Sequence, residues 1–93
     1  MLANEQRIDC VNRFVELANA MHQQEQISTA VVSSALMTAC AIYATYSVTG
    51  NDGALKDSGI EKITRLFGEE LSQVQRAKIE RARSEGKDVA QSS

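Results

Sequence analysis

The sequence contains one long stretch without any charged side chain, from Gln26 to Asn51. Charged residues make up 24% of the whole chain, so this stretch stands apart from the segments on either side of it. Burying an unpaired charge is costly, and a segment without charges can be enclosed on several sides. We therefore predict that this stretch forms the central helix of the fold.

The length and composition favour one small helical domain. The 93 residues are enough for a single modest core, and the absence of proline leaves long helical segments intact. We predict helices over about 4–24, 28–49 and 59–84 in one domain, 1–84, followed by a disordered tail, 85–93. Short links between long helices favour antiparallel neighbours, so the predicted fold is an all-α, three-helix up-down-up bundle.

Local signals place the predicted helix ends. A hydroxyl at Ser28 or Thr29 can cap the second helix by accepting a hydrogen bond from its first turn. The segment 50–53, Gly-Asn-Asp-Gly, is a strong turn signal that ends this helix. Ser58 and Glu61 have capping-box spacing, which predicts the start of the third helix.

Apolar residues recur with helical spacing in all three segments, which predicts the faces that form the core. In the first helix this face comprises Ile8, Cys10, Val11, Phe14, Val15, Leu17, Ala18 and Met21. In the second helix it comprises Val31, Val32, Ala35, Leu36, Ala39, Ile42, Tyr43 and Tyr46, and in the third Ile60, Ile63, Phe67, Leu71 and Val74.

The opposite side of the second helix carries mostly small side chains, among them Ser34, Thr38, Ala41 and Thr45. Small residues allow two helices to approach closely. Because three helices cannot easily surround a helix with no charged side, we predict a homodimer that buries this small-residue face against a second copy.

The uncharged segment is also long enough to raise the possibility of a membrane span. Its many serine and threonine residues dilute its hydrophobicity, and basic residues that would orient a span are missing from both flanks. The first residues lack the pattern of a signal peptide. We predict a cytoplasmic protein that does not enter the membrane.

The cysteines and the single histidine have structural interpretations. Cys10 and Cys40 become neighbours if the first two helices fold back on each other, and we predict a pair of buried, reduced thiols. A redox disulfide is the alternative. His22 lies near a helix end and is expected to act as a polar cap rather than as a ligand. Tyr43 and Tyr46 are expected to pack rather than to stack on bases.

No catalytic, metal-binding or cofactor-binding pattern is present, so we predict no enzyme activity and no cofactor. Asn51, Asp52, Asp57 and Glu61 do not fit the register of a calcium loop, which favours a capped turn.

The last quarter of the chain is rich in cations, namely Arg76, Lys78, Arg81, Arg83 and Lys87. A solvated helix end is expected there, and docking of RNA or an acidic protein on Arg76, Lys78, Arg81 and Arg83 is the alternative.

Two segments and a glycine after them form a recognisable combination. The segments are 12–19 (Asn-Arg-Phe-Val-Glu-Leu-Ala-Asn) and 34–46 (Ser-Ala-Leu-Met-Thr-Ala-Cys-Ala-Ile-Tyr-Ala-Thr-Tyr), and the glycine is Gly50. In this combination the chain resembles a family of short bacterial proteins known only as a domain of unknown function. The resemblance extends through Gln75 and Arg76 and implies a small helical protein without an assigned activity. It carries no functional residues across to this sequence.

Taken together, these patterns predict a small helical interaction module that self-associates. A net charge of −2 provides no general attraction for nucleic acid. The alternative function is that of an accessory protein associated with nucleic acid or the ribosome through the basic end of the third helix.

Overall fold

The computed structural model describes residues 3–51 and 53–86, which contain three α-helices and no strand. Helix α1 spans Ala3–Gln23, α2 spans Thr29–Thr49 and α3 spans Asp57–Ser84. The all-α prediction with three helices is confirmed. The chain divides into two compact units, Met1–Ser47 and Val48–Ser93. The single domain and the up-down-up order stay predictions.

The link between α1 and α2 is held by backbone and side-chain hydrogen bonds. The Gln24 N–H donates to the Ala20 carbonyl at 2.8 Å, and the Ile27 N–H donates to the Met21 carbonyl at 3.3 Å. The Ser28 hydroxyl accepts a hydrogen bond from the Val31 N–H at 3.3 Å. The prediction that a hydroxyl caps α2 is therefore confirmed at Ser28.

Gln26 gives this link its reversal, because its backbone has a φ of 58°. A left-handed conformation costs an L-residue about 1–2 kcal/mol, whereas glycine adopts it freely. We therefore expect Gln26→Gly to raise the free energy of unfolding by about 1 kcal/mol in urea titrations followed by circular dichroism. Gln24→Gly is the matched control. Gln24 has no positive φ, so glycine there should destabilise the protein by about 0.5–1 kcal/mol.

The link between α2 and α3 begins at Gly50, whose φ of 72° ends α2. The Asn51 side-chain Oδ1 accepts a hydrogen bond from the Gly53 N–H at 2.6 Å, and the Thr49 hydroxyl donates to the Asn51 carbonyl at 2.8 Å. A Cβ at position 53 would lie 2.7 Å from Asn51 Oδ1, so a larger residue there would displace the Asn51 side chain from this hydrogen bond. The prediction of a turn after α2 is confirmed.

The predicted capping box at the start of α3 is wrong. The helix begins at Asp57, two residues before the predicted start, and its N-cap is Lys56, which makes no side-chain capping bond. The Lys56 carbonyl accepts the N–H groups of Gly59 and Ile60 at 2.9 and 3.0 Å. Ser58 thus lies inside the first turn and cannot act as the cap. The Asp57 carboxylate suits this position because the helix dipole favours negative charge there.

At its other end, α3 continues through Ser84 as predicted. The Glu85 N–H donates to the Arg81 carbonyl at 3.0 Å, the Gly86 N–H donates to the Arg83 carbonyl at 3.1 Å, and Gly86 has a φ of 72°. A left-handed glycine is a common helix terminator. The rest of the predicted tail, 87–93, lies outside the described residues.

The core is far smaller than the apolar periodicity predicts. Val32, which is 8% exposed, is the one buried side chain among residues 3–51 and 53–86. The half-buried residues nearest to it in sequence are Ile27 and Met21, which flank the same link between α1 and α2. Tight packing in the first unit is therefore found near this link, and the remaining apolar faces are open.

Candidate self-association surface

The four residues predicted to mediate self-association all lie on α2, at intervals of four, three and four residues. This spacing places Ser34, Thr38, Ala41 and Thr45 along one side of the helix. Ser34, Thr38 and Ala41 are exposed, and Thr45 is half-buried. The surface that they form is hereafter called the small face.

The Thr45 hydroxyl donates a hydrogen bond to the carbonyl of Ala41, one turn earlier in α2, at 2.7 Å. Its donor is therefore satisfied within the helix. A second helix could cover this position without leaving that O–H group unpaired, which removes a common penalty for burying a polar residue.

The opposite side of α2, hereafter called the large face, does not form the core that the sequence predicts. Ile42 and Tyr43 are 67% and 71% exposed, and Val31 and Tyr46 are also exposed. The Tyr43 and Tyr46 rings lie 6.0 Å apart between centroids, with an angle of 52° between their planes. Of the eight residues predicted for this face, Val32 alone is buried, and the other seven are exposed.

Helix α2 is also the one helix in the described part of the chain that is long and apolar enough to cross a membrane. In a soluble protein, a helix of this composition is usually covered on most sides. Nearly all of α2 is exposed. The large apolar side chains of α2 other than Val32 are therefore uncovered in the single chain.

Cys10 and Cys40 are both free thiols, and both are exposed. The prediction of a buried thiol pair is wrong, since neither side chain is covered. A disulfide does not join them in this structure.

His22 caps the link between α1 and α2, as predicted. Its Nδ1 lies 2.8 Å from the Ile27 carbonyl oxygen, a distance at which a protonated Nδ1 donates a hydrogen bond.

Within the residues that the structure describes, no group of three or more His, Cys, Asp or Glu side chains is placed to hold a metal ion. Near the predicted turn, Asn51 uses its amide oxygen for Gly53, and Asp52 lies outside the described residues.

The basic residues near the end of α3 do not form one continuous stripe. At 100° per residue, Arg76 and Arg83 fall on one side of the helix, whereas Lys78 and Arg81 fall on another. The Arg81 guanidinium Nε also donates to a Glu85 carboxylate oxygen at 3.2 Å. The four predicted docking residues are therefore divided between two faces.

The apolar stripe of α3 is open as well. Ile60, Phe67, Leu71 and Val74 are between 45% and 52% exposed, and Ile63 is half-buried, although the sequence predicts all five as core residues. Amphipathic periodicity identifies a face that needs cover, but it gives no information on whether the same chain supplies that cover.

Comparison with known proteins identifies the family. A family model described as a protein of unknown function (DUF3144) matches residues 8–81, which is most of the chain. The chain belongs to this family. The predicted resemblance is thereby confirmed, and the DUF3144 family carries no assigned role. Neither a curated protein nor a solved structure matches the chain.

Proposed function

We propose that this DUF3144 protein is a small, non-enzymatic helical interaction module that functions as a homodimer, with the small face of α2 packed against the same face of a second copy. The observation that carries the proposal is the exposure of α2. A 21-residue helix without a charged side chain has one buried residue. A second copy packed on the small face covers one side of this helix.

Outside the small face, the described residues also expose apolar surface that a second copy could cover. In the described residues, seventeen large apolar side chains are between 42% and 71% exposed. From the typical transfer free energy of one such side chain and its value per unit area, the exposed apolar surface of this set is on the order of 500–1000 Å². A standard interface takes about 800 Å² from each partner. Apolar exposure of this extent is characteristic of proteins that bind a partner.

The small face fits the pairing of two helices. Small side chains at Ser34, Thr38 and Ala41 allow the backbones of two helices to approach closely. In a twofold-symmetric pair, each residue of the face meets its counterpart from the second copy, so the same small side chains line both sides. The satisfied hydroxyl of Thr45 lowers the cost of covering this region.

We also propose that the dimer is cytoplasmic and does not enter the membrane. The serine and threonine residues along α2 lower the gain from inserting it into lipid, and the nearest lysine or arginine, Lys56, lies seven residues beyond its end. The basic end of α3 supports no second function, because its cations are divided between two faces and Arg81 pairs with Glu85.

Sedimentation equilibrium of the full chain in detergent-free buffer tests the proposal. We expect a soluble species with twice the 10.2 kDa mass of one chain, which dissociates on dilution. A monomer at high micromolar concentration would contradict self-association. A chain found only in the membrane fraction, and soluble only with detergent, would show that lipid covers α2.

A further inference from the structure

The open stripe of α3 has the spacing of a coiled-coil seam. Ile60, Thr64, Phe67, Leu71 and Val74 follow one another at intervals of four, three, four and three residues, as the a and d positions of a heptad repeat do. The four apolar members are about half exposed. The Thr64 hydroxyl donates to the Ile60 carbonyl at 2.8 Å, so covering Thr64 leaves no unpaired O–H group.

The same spacing continues into charged residues of opposite sign at the two ends of the helix. Asp57 lies three residues before the first apolar residue of the seam, and Lys78 and Arg81 follow the last one. In a parallel pair of α3 helices, each of these charges would face the same charge of the second copy, which is unfavourable. In an antiparallel pair, the acidic start of one helix faces the basic end of the other.

In one antiparallel register, every residue of the seam faces a compatible residue of the second copy. If Phe67 faces Leu71 of the second copy, then Thr64 faces Val74, Ile60 faces Lys78 and Asp57 faces Arg81. The aliphatic stem of Lys78 can cover Ile60 while its ammonium group reaches Glu61 of the second copy. Opposed helix dipoles also favour this orientation.

We infer that α3 forms a second self-association seam within the same dimer, along which α3 of the second copy docks antiparallel in this register. The inference rests on the proposed self-association and adds a surface and an orientation to it. In this register Arg81 either shares its ion pair with Glu85 or exchanges it for Asp57 of the second copy. The Arg81 side chain is 82% exposed in its ion pair with Glu85. Exposed pairs of this kind contribute little, so the exchange costs little.

Cysteine cross-linking of the full chain tests the register. In a Cys10→Ser, Cys40→Ser background, one preparation carries Thr64→Cys and another carries Val74→Cys, which leaves every charged residue in place. After mild oxidation, we expect the mixture to form at least about tenfold more cross-linked dimer than either preparation alone, because a disulfide requires Cβ atoms about 4 Å apart. Equal or greater self-linking of the single preparations would overturn the antiparallel assignment.

Two further variants show whether the seam itself produces the cross-link. Phe67→Glu places a charge in the middle of the seam and should reduce the mixed cross-link at least about tenfold, since a buried unpaired charge is strongly unfavourable. Leu66→Glu is the matched control, because Leu66 is equally exposed but lies about 110° away from the centre of the stripe, and it should retain the cross-link. Similar yields from both variants would overturn the seam.

Sedimentation of the Cys10→Ser, Cys40→Ser background separates the two proposals. If this background chain is a dimer and the mixture does not cross-link, the α3 seam is wrong and self-association through α2 stands. If the background chain is a monomer at the concentration of the experiment, both proposals are wrong.

Discussion

Replacing Ala41 with glutamate is expected to weaken the dimer by at least about 100-fold, which corresponds to about 2.7 kcal/mol. Ala41 lies in the middle of the small face and is exposed in the single chain. In a twofold interface the substitution brings two carboxylates together in a space that fits two methyl groups. The desolvation of each carboxylate and their mutual repulsion both oppose association. Sedimentation equilibrium over a dilution series measures the change directly.

The matched control for this variant is Ala39→Glu. Ala39 is also an exposed alanine of α2, two residues earlier, and falls about 160° around the helix on the large face. The two variants change helix propensity and net charge identically, so they differ only in the face that receives the carboxylate. We expect Ala39→Glu to change the dissociation constant less than about tenfold. If Ala39→Glu dissociates the dimer and Ala41→Glu does not, the interface is on the large face.

Replacing Val32 with aspartate is expected to lower the free energy of unfolding by about 3 kcal/mol or more. Val32 is the single buried side chain in the part of the chain that the structure describes. A carboxylate at this position loses its hydration, which places the substitution among the most destabilising classes. Urea titrations followed by circular dichroism, at one fixed protein concentration, measure the loss.

Val31→Asp is the control for the effect at position 32. Val31 is the preceding residue in the same turn of α2 and is 57% exposed. An aspartate at either position interacts favourably with the nearby helix N-terminus, so this contribution cancels in the comparison. We expect Val31→Asp to cost less than about 1 kcal/mol. Equal destabilisation by the two variants would show that Val32 does not anchor the packing near the link between α1 and α2.

The elements of this fold could be predicted because their signals are local. The Ser28 cap, the left-handed Gly50 and the His22 contact with Ile27 each depend on residues within a few positions of one another. The start of α3 was predicted less well. Ser58 and Glu61 have the spacing of a capping box, but Asp57 is equally suited to a first turn, and the helix extends to include it.

The core could not be predicted, because periodicity identifies an apolar face and not its cover. Ile42, Tyr43 and Phe67 have the spacing of core residues, yet all three are at least half exposed. The same limitation explains why Cys10 and Cys40 were expected to be buried. The sequence shows which faces are apolar, and the structure of the single chain shows which of them remain exposed.

The most direct test of the account is the distance between equivalent positions of α2 in two copies. Spin labels attached to Ala41→Cys or to Ala39→Cys, each in the Cys10→Ser, Cys40→Ser background, report this distance through dipolar electron resonance. The axes of two packed helices lie about 8–10 Å apart, so labels on the facing sides are close together. Labels on the far sides are farther apart, because the widths of both helices add to the distance between the axes. We predict a clearly shorter distance for the labels at position 41 than for those at position 39. A shorter distance at position 39, or no dipolar coupling at either position at high micromolar concentration, would contradict the account.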